Sequence, residues 1–150
     1  MIIGITGTQS GLSTFQRDEI PRFLKDCTEL VHGDCIGVDK EVNAIALELG
    51  IKQFTIFPPD NPKKRAWVFN SKKEIKLWDW NDSNAIKIRW FIPLPYLERN
   101  KKIVDHCNIL VAMPKESEHS LRSGTWATIR YAWKRAKQDE TFKVIIIPPR

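Results

Sequence analysis

Short runs of consecutive apolar residues alternate along the chain with stretches in which apolar residues recur every three or four positions. The first pattern is typical of strands buried on both faces, and the second is typical of amphipathic helices. Buried strands that alternate with helices predict an α/β, Rossmann-like, doubly wound fold: a mainly parallel sheet of five strands, or slightly more, with helices on both faces. The predicted strands cover residues 2–6, 28–32, 53–57, 109–113 and 142–147.

The helical stretches carry start and stop signals. Ser13 and Gln16 have the spacing of a capping box, so a helix should begin there. Pro21 is awkward inside that helix and should either kink it or mark a late start. Gly50 should end the next helix, since glycine is favoured just past a helix terminus. The helical stripes cover residues 20–27, 42–49, 96–104 and 126–136.

Residues 60–95 depart from this alternation and form an irregular excursion. We expect a short helix near Arg65 and extended structure at 86–91 within it. No repeat or linker-like composition divides the chain, so residues 1–150 are predicted to be one domain. We interpret the tryptophans as packing residues rather than as a stacking platform for bases. Those of the excursion are Trp67, Trp78, Trp80 and Trp90, and the positive charges near it are Lys63, Lys64, Arg65, Lys72, Lys73, Lys76, Lys87, Arg89, Arg99, Lys101 and Lys102.

Composition narrows the class of protein further. A chain of 150 residues is long enough to bury a core without disulfides or metals, and its formal net charge of +6 favours anionic partners such as phosphates or nucleic acid. Its three cysteines have no paired spacing and no histidine pair has metal-ligand spacing, so we expect no metal site. Without a signal peptide or a membrane-length apolar run, the chain is predicted to be cytoplasmic, with no membrane partner.

Three polar loops follow predicted strands. The carboxyl ends of parallel strands meet at one sheet edge, where helix N-termini offer free N–H groups and a positive dipole end to an anion. Three such loops on one edge predict a ligand of nucleotide size. They contain Thr6-Gly7-Thr8, then Gly33-Asp34-Cys35-Ile36-Gly37-Val38-Asp39, and finally Arg122-Ser123-Gly124-Thr125.

The first two loops also have ordinary interpretations. The first lacks both a GxGxxG motif and a P-loop lysine, and its glycine and threonines are equally compatible with a plain strand-to-helix turn. Asp39 either interacts with the dipole of its own helix or binds ribose hydroxyls. Asp34 is either a turn former or part of the site.

The helix at 96–104 and the last loop add three candidates. Asn100 falls on the apolar stripe, so its amide either ties down a loop or faces the ligand cleft. Arg99 and Arg122 each form a bidentate fork for phosphate if they turn inward, and are plain surface charges if they do not.

Four segments carry a family resemblance and are spread over nearly the whole chain: Gly4-Ile5-Thr6-Gly7-Thr8, His32-Gly33-Asp34-Cys35-Ile36-Gly37-Val38-Asp39, Tyr96-Leu97-Glu98-Arg99-Asn100 and Arg122-Ser123-Gly124-Thr125-Trp126-Ala127-Thr128. Together, and in this order, they resemble the SLOG superfamily of Rossmann-like domains. That superfamily includes the LOG phosphoribohydrolases, the YpsA-like proteins, molybdenum-cofactor carrier proteins and the DNA-processing protein A fold. The chain looks most similar to small stand-alone YpsA-related members.

The resemblance implies a nucleotide or nucleotide-derived ligand and no required cofactor. By analogy, the turn Ser123-Gly124-Thr125 would hold a phosphate, and Gly33, Gly37 and Asp39 would flank the sugar. A homodimer is also expected, because superfamily members commonly pair and exposed tryptophans need cover.

One departure bears on catalysis. LOG hydrolases carry a PGGxGTxxE motif with a catalytic glutamate, and Thr128 stands at that position here, after Arg122-Ser123 in place of Gly-x. Threonine cannot stabilise an oxocarbenium-like centre or activate water as a carboxylate does. The acids that could substitute are Asp34, Asp39 and Glu98.

The sequence therefore favours a module that binds a nucleotide or a nucleotide-derived ligand in a cleft at the strand ends. An alternative is a nucleotide N-glycosidase that releases the base of a nucleoside monophosphate. In that enzyme Asp34 or Asp39 would assist attack at the anomeric carbon and Arg99 or Arg122 would hold the phosphate. A second alternative is nucleic-acid binding through the basic segment 62–102.

Overall fold

Six strands form a single sheet in the computed structural model, which describes residues 1–69 and 85–150. Every neighbouring pair is parallel, in the order β4-β3-β2-β1-β5-β6. The predicted Rossmann-like α/β fold is therefore confirmed, with one strand beyond the five. The strands are β1 (Ile2–Gly7), β2 (Glu29–His32), β3 (Gln53–Ile56), β4 (Lys87–Trp90), β5 (Ile109–Met113) and β6 (Lys143–Ile146).

Four helices of the described residues cover the two faces of this sheet. On one face of the sheet, Ile20 and Val42 pack into a core with Ile5. On the other face, Val104 and Ala132 pack with strand residues whose side chains point away from the first core. Alternate residues of each strand thus pack into cores on opposite faces, as a doubly wound sheet requires. The helices are α1 (Thr14–Phe23) and α2 (Val38–Glu48) on the first face, and α3 (Tyr96–His106) and α4 (Gly124–Gln138) on the second.

The predicted capping box opens α1. The Ser13 hydroxyl accepts the Gln16 N–H at 3.1 Å, and the Gln16 side-chain oxygen accepts the Ser13 N–H at 3.0 Å. The Gln16 amide also donates to the carbonyls of Pro114 and Ile147, both at 2.9 Å, and so ties α1 to the ends of β5 and β6. Pro21 lies inside the helix, which ends two residues later rather than starting late.

The excursion contributes the edge strand of the sheet. The extended structure predicted at 86–91 is β4, which pairs with β3, and the short helix expected near Arg65 is a 3-10 turn at Pro62–Lys64. Trp78, Trp80, Lys72, Lys73 and Lys76 lie outside the described residues. In the part of the chain that is described, no helix has the length and apolar character to cross a bilayer.

The sheet reverses its strand order between β1 and β5. The chain leaves β1 toward β4 on one side and returns to β5 on the other, so the loops after β1 and β5 diverge at their carboxyl ends. In open α/β sheets, ligands bind in the crevice at such a topological switch point. The topology of the sheet therefore favours a ligand site at this edge.

Candidate functional site

A small cleft lies at this switch point. It is bordered by the end of β1, the loop after β2, the first turn of α2 and the N-terminal turns of α3. Five of the residues predicted for the site line it directly: Thr6, Gly7, Asp39, Arg99 and Asn100. The lining residues are Ile5, Thr6, Gly7, Gln9, Cys35, Asp39, Tyr96, Arg99, Asn100 and Ile103.

The loop after β1 presents Thr6 to the cleft and turns Thr8 away from it. Thr6 is buried, and Gly7 packs directly against Val38. The Thr8 N–H donates to the Met113 carbonyl at 3.3 Å, and its hydroxyl accepts the Ser10 N–H at 3.1 Å. The polar groups of Thr8 are thus engaged in holding the loop.

Gly37 fixes the start of α2 against this first loop. Its φ of +91° lies in the region that favours glycine, and a Cβ there would sit 2.5 Å from the carbonyl oxygens of Thr8 and Gln9. The Val38 N–H donates to the Thr8 carbonyl at 3.1 Å. The first N–H of α2 therefore has a protein acceptor.

Asp39 folds back from α2 onto the loop after β2. One carboxylate oxygen accepts the N–H groups of Gly33 at 3.1 Å and Cys35 at 3.2 Å. Burial raises the pKa of Asp39 above its ordinary value, although the nearby Arg99 guanidinium and these two hydrogen bonds act in the opposite direction. Asp39 therefore anchors the loop while also lining the cleft.

Asp34 is fully buried and contacts the excursion. Its carboxylate accepts the Arg65 Nε–H at 3.1 Å and the Val68 N–H at 3.0 Å, and its own φ is +53°. The Arg65 guanidinium in turn stacks on Trp67, 3.7 Å from the ring centroid. These contacts join the second loop to the beginning of the excursion.

His32 is also buried beneath this loop. Its Nδ1 accepts the Asp34 N–H at 2.9 Å, so Nε2 carries the proton and donates to the Asn43 side-chain oxygen at 2.9 Å. Among the described residues, no three His, Cys, Asp or Glu side chains are grouped so as to hold a metal ion.

Arg99 crosses the floor of the cleft. Its guanidinium donates to the carbonyls of Gly33 at 2.7 Å and Phe57 at 3.2 Å, and lies 3.3 Å from the Cys35 sulfur. A side chain on Gly33 would collide with this guanidinium, which explains the glycine. Arg99 is only 2% exposed, yet its Nε–H has no acceptor in the described residues.

Asn100 is the next buried donor along α3. It is 5% exposed, and its Nδ2 lies near the Tyr96 hydroxyl but makes no hydrogen bond of good geometry in the described part of the chain. Buried polar groups are hydrogen-bonded in the great majority of cases, so two orphaned donors side by side call for an explanation. An acceptor supplied by a ligand would provide one.

The start of α4 adds two backbone donors. The Ser123 hydroxyl caps the helix by accepting the Trp126 N–H at 3.2 Å, whereas the N–H groups of Gly124 and Thr125 have no acceptor within residues 1–69 and 85–150. The phenol of Tyr96 lies so close over Gly124 that a side chain there would collide with it. Burial raises the pKa of Tyr96, so its hydroxyl keeps its proton and remains a donor.

Several predicted site residues near this helix do not line the cleft, namely Ser123, Gly124 and Thr125, and also Arg122 and Glu98. Arg122 is exposed in the loop before α4, and Glu98 is exposed on α3. Thr128, at the position of the LOG glutamate, is buried, and its hydroxyl donates to the Gly124 carbonyl at 3.0 Å. That hydroxyl is therefore engaged inside α4.

Sequence reasoning missed Tyr96, Cys35 and Gln9 as cleft residues. Tyr96 precedes Asn100 by four positions, so both lie on one helical face, and this spacing could have identified it. Cys35 and Gln9 lie in loops, where no periodicity shows which side chains turn inward.

Comparison of the chain with known protein families and with curated proteins finds no match.

Proposed function

We propose that this protein binds a nucleotide or nucleotide-derived ligand at the mouth of the cleft, with a phosphate at the start of α4. The observation that carries the proposal is a group of donors without acceptors. They are the N–H groups of Gly124 and Thr125, the Asn100 amide and the Nε–H of Arg99. Phosphate oxygens accept hydrogen bonds from donors of each of these kinds.

Electrostatics favour an anion at this position. The α4 N-terminus carries the positive end of the helix dipole, and no acidic residue occupies its first turn. Arg99 donates to carbonyls and makes no ion pair within 4.0 Å among the described residues. An anionic ligand would therefore add to the negative charge that Asp39 places near the buried guanidinium.

The oxygen atoms that line the cleft support a nucleotide rather than a bare phosphate. Asp39 and Thr6 line the cleft with oxygen acceptors, and its small free volume admits one hydroxyl group of a ligand bound at the mouth. A ligand with an anionic group at one end and a sugar hydroxyl beside it would complement both the start of α4 and these acceptors.

Binding without turnover is the function we favour, since Thr128 offers no carboxylate and its hydroxyl is engaged. One observation supports the N-glycosidase alternative. Asp39 is a buried carboxyl of raised pKa that lines the cleft together with Arg99, and perturbed acids in clefts are often catalytic. Release of free base from a nucleoside monophosphate, abolished in Asp39→Asn, would establish that alternative. The nucleic-acid alternative predicts a steep loss of oligonucleotide affinity with salt.

A thermal-shift screen against nucleoside mono-, di- and triphosphates, cyclic nucleotides, ADP-ribose and NAD tests the proposal. A ligand at a hundred times its Kd should stabilise the fold by about 2.7 kcal/mol, enough to raise Tm by a few degrees. Asn100→Ala, which removes one of the side-chain donors at the cleft, should weaken or abolish the shift. Asn43→Ala is the matched control, because it is the same substitution at a second buried helical asparagine, one that bonds to His32 and does not line the cleft. The absence of any shift, or equal effects of the two variants, would contradict the proposal.

A further inference from the structure

The cleft has room for only part of a nucleotide. Its free volume is about 10 Å³, which is the space of about one water molecule. Most of any ligand whose phosphate lies at the start of α4 must therefore lie outside the cleft. The protein surface beside the cleft therefore determines the size of the ligand that can bind.

A larger groove lies next to the cleft, between α3 and α4; we call it the α3–α4 groove. Its volume of about 410 Å³ falls within the range of small-molecule sites. Asn100 lines both the groove and the cleft, so the two cavities share a wall. The side-chain amide of Asn100 therefore lies at the position where a ligand would extend from the cleft into the α3–α4 groove.

The α3–α4 groove is cationic around an apolar floor. Lys101, Arg130 and Lys134 line it, and no acidic residue of the described chain does. Leu97 and the half-buried Tyr131 provide the apolar surface; the Lys101 ammonium lies 5.6 Å from the centre of the Tyr131 ring, whose hydroxyl donates to Asp105 at 2.9 Å. Cations beside an accessible aromatic ring are the combination that binds single nucleotide units, through phosphate contacts and base stacking.

The spacing of these charges indicates a ligand with more than one phosphate position. Lys134 follows Gly124 by ten residues of continuous helix, or roughly 15 Å along the axis at 1.5 Å per residue. A pyrophosphate keeps both of its charges at the start of α4. A phosphodiester chain instead carries its next charge one nucleotide further along, toward Lys101 and Lys134.

We propose that the ligand is a 5′-phosphorylated nucleotide chain of at least two units. Its 5′-phosphate lies at the start of α4, and its second nucleotide lies in the α3–α4 groove, with the phosphodiester near Lys101 and Lys134 and the base against Tyr131. This inference rests on the proposed function, since it uses the same phosphate position. This nucleotide ligand is either a free dinucleotide or the end of a longer single strand of nucleic acid.

The test compares affinities by isothermal titration calorimetry. The probes are the dinucleotides pApA and pUpU, the mononucleotides AMP and UMP, and ApA, which lacks the 5′-phosphate. We expect at least one dinucleotide to bind tenfold or more tightly than its mononucleotide, and ApA to bind more weakly than pApA. Lys101→Gln and Lys134→Gln should each weaken dinucleotide binding about fivefold and leave mononucleotide binding unchanged. Lys102→Gln and Lys137→Gln remove the same charge from the same helices outside the groove and serve as matched controls.

The outcomes separate the two proposals. If a mononucleotide binds as tightly as its dinucleotide, or if the groove variants match the controls, the oligonucleotide inference is overturned while the proposed function stands. If no nucleotide binds, the proposed function fails and this inference fails with it. A 5′-phosphorylated ten-residue strand that binds more tightly than the dinucleotide identifies a strand end as the source. Equal binding of that strand without its 5′-phosphate would overturn the inference.

Discussion

Arg99 connects two loops to α3 through a single side chain. Its guanidinium reaches the Gly33 carbonyl after β2, the Phe57 carbonyl after β3 and the thiol of Cys35, all at the carboxyl edge of the sheet. Because the charge is buried and bonded mainly to neutral acceptors, its position depends on close packing around it. The cleft is thus sensitive to small changes of volume near the guanidinium.

Gly33→Ala should therefore cost about 3 kcal/mol of unfolding free energy, because the methyl group would collide with Arg99 and displace its hydrogen bonds. Gly50→Ala is the control. Nothing lies within 4 Å of a Cβ at Gly50, so only its left-handed backbone, with φ at +84°, should cost about 1 kcal/mol. Urea denaturation of both variants measures the difference. Equal losses would contradict the steric argument.

Asp39→Asn should change the pH dependence of stability. The pKa of Asp39 is raised in the folded protein, so its contribution to stability is greatest below the unfolded value, near 3.8, and is lost as pH rises through the folded value. Asparagine keeps an oxygen for the N–H groups of Gly33 and Cys35 without the buried charge. Its stability relative to the native protein should therefore rise from pH 4 to pH 7.

Thermal melts of both proteins across this range measure the effect. If the variant becomes less stable relative to the native protein as pH increases, Arg99 and the two backbone hydrogen bonds stabilise the Asp39 carboxylate by more than its burial costs.

At the scale of elements, α1 is joined to the sheet by its own capping residue. Ser13→Ala should cost about 1 kcal/mol, which is typical for the loss of a helix cap. Gln16→Ala should cost about 3 kcal/mol, since it also leaves the carbonyls of Pro114 and Ile147 without their donor. Ser123→Ala, which removes the cap of α4 alone, is a control expected to match Ser13→Ala. Equal costs for the two α1 variants, measured by urea denaturation, would show that the link to β5 and β6 contributes nothing.

The elements with local signals were predictable from the sequence. The box at Ser13 and Gln16 depends on contacts three residues apart, and the strand at 109–113 is a continuous apolar run with the bounds of β5. β4 could be foreseen only as extended structure, because its place at the edge of the sheet is set by pairing with β3, whose partner residues are more than thirty positions away.

The candidate site was less accessible to sequence reasoning than the fold. Sequence pattern indicates that Asn100 lies on the apolar face of a helix but not that its amide is left without an acceptor. Asp34 and Asp39 occupy similar loop positions in the sequence, and yet one contacts Arg65 of the excursion and the other lines the cleft. That difference arises from contacts across the fold, which no local pattern records.

At the scale of the whole molecule, the homodimer remains a prediction. Trp133 and Trp67 are 40% and 43% exposed, and Leu121 is 80% exposed, which leaves apolar surface for a second copy to cover. Each copy carries a net charge of +6, so added salt should screen the repulsion and strengthen the pairing. Sedimentation equilibrium at low and high salt is the measurement. A monomer at high concentration in both conditions would exclude the dimer.

The pairing of β1 with β5 has a consequence for the order of folding. Ile3 lies opposite Ile109, so the two central strands of the sheet come from opposite ends of the chain, and contacts of such long range form slowly. The first four strands can be synthesised well before the strand that completes the centre of the sheet. The proposed phosphate position lies at the start of α4, which follows β5, so a nascent chain that has not yet reached β5 would lack it. A ligand at this position would therefore bind only molecules in which β1 and β5 are already paired. The fraction of protein that binds it would measure the fraction that has completed folding.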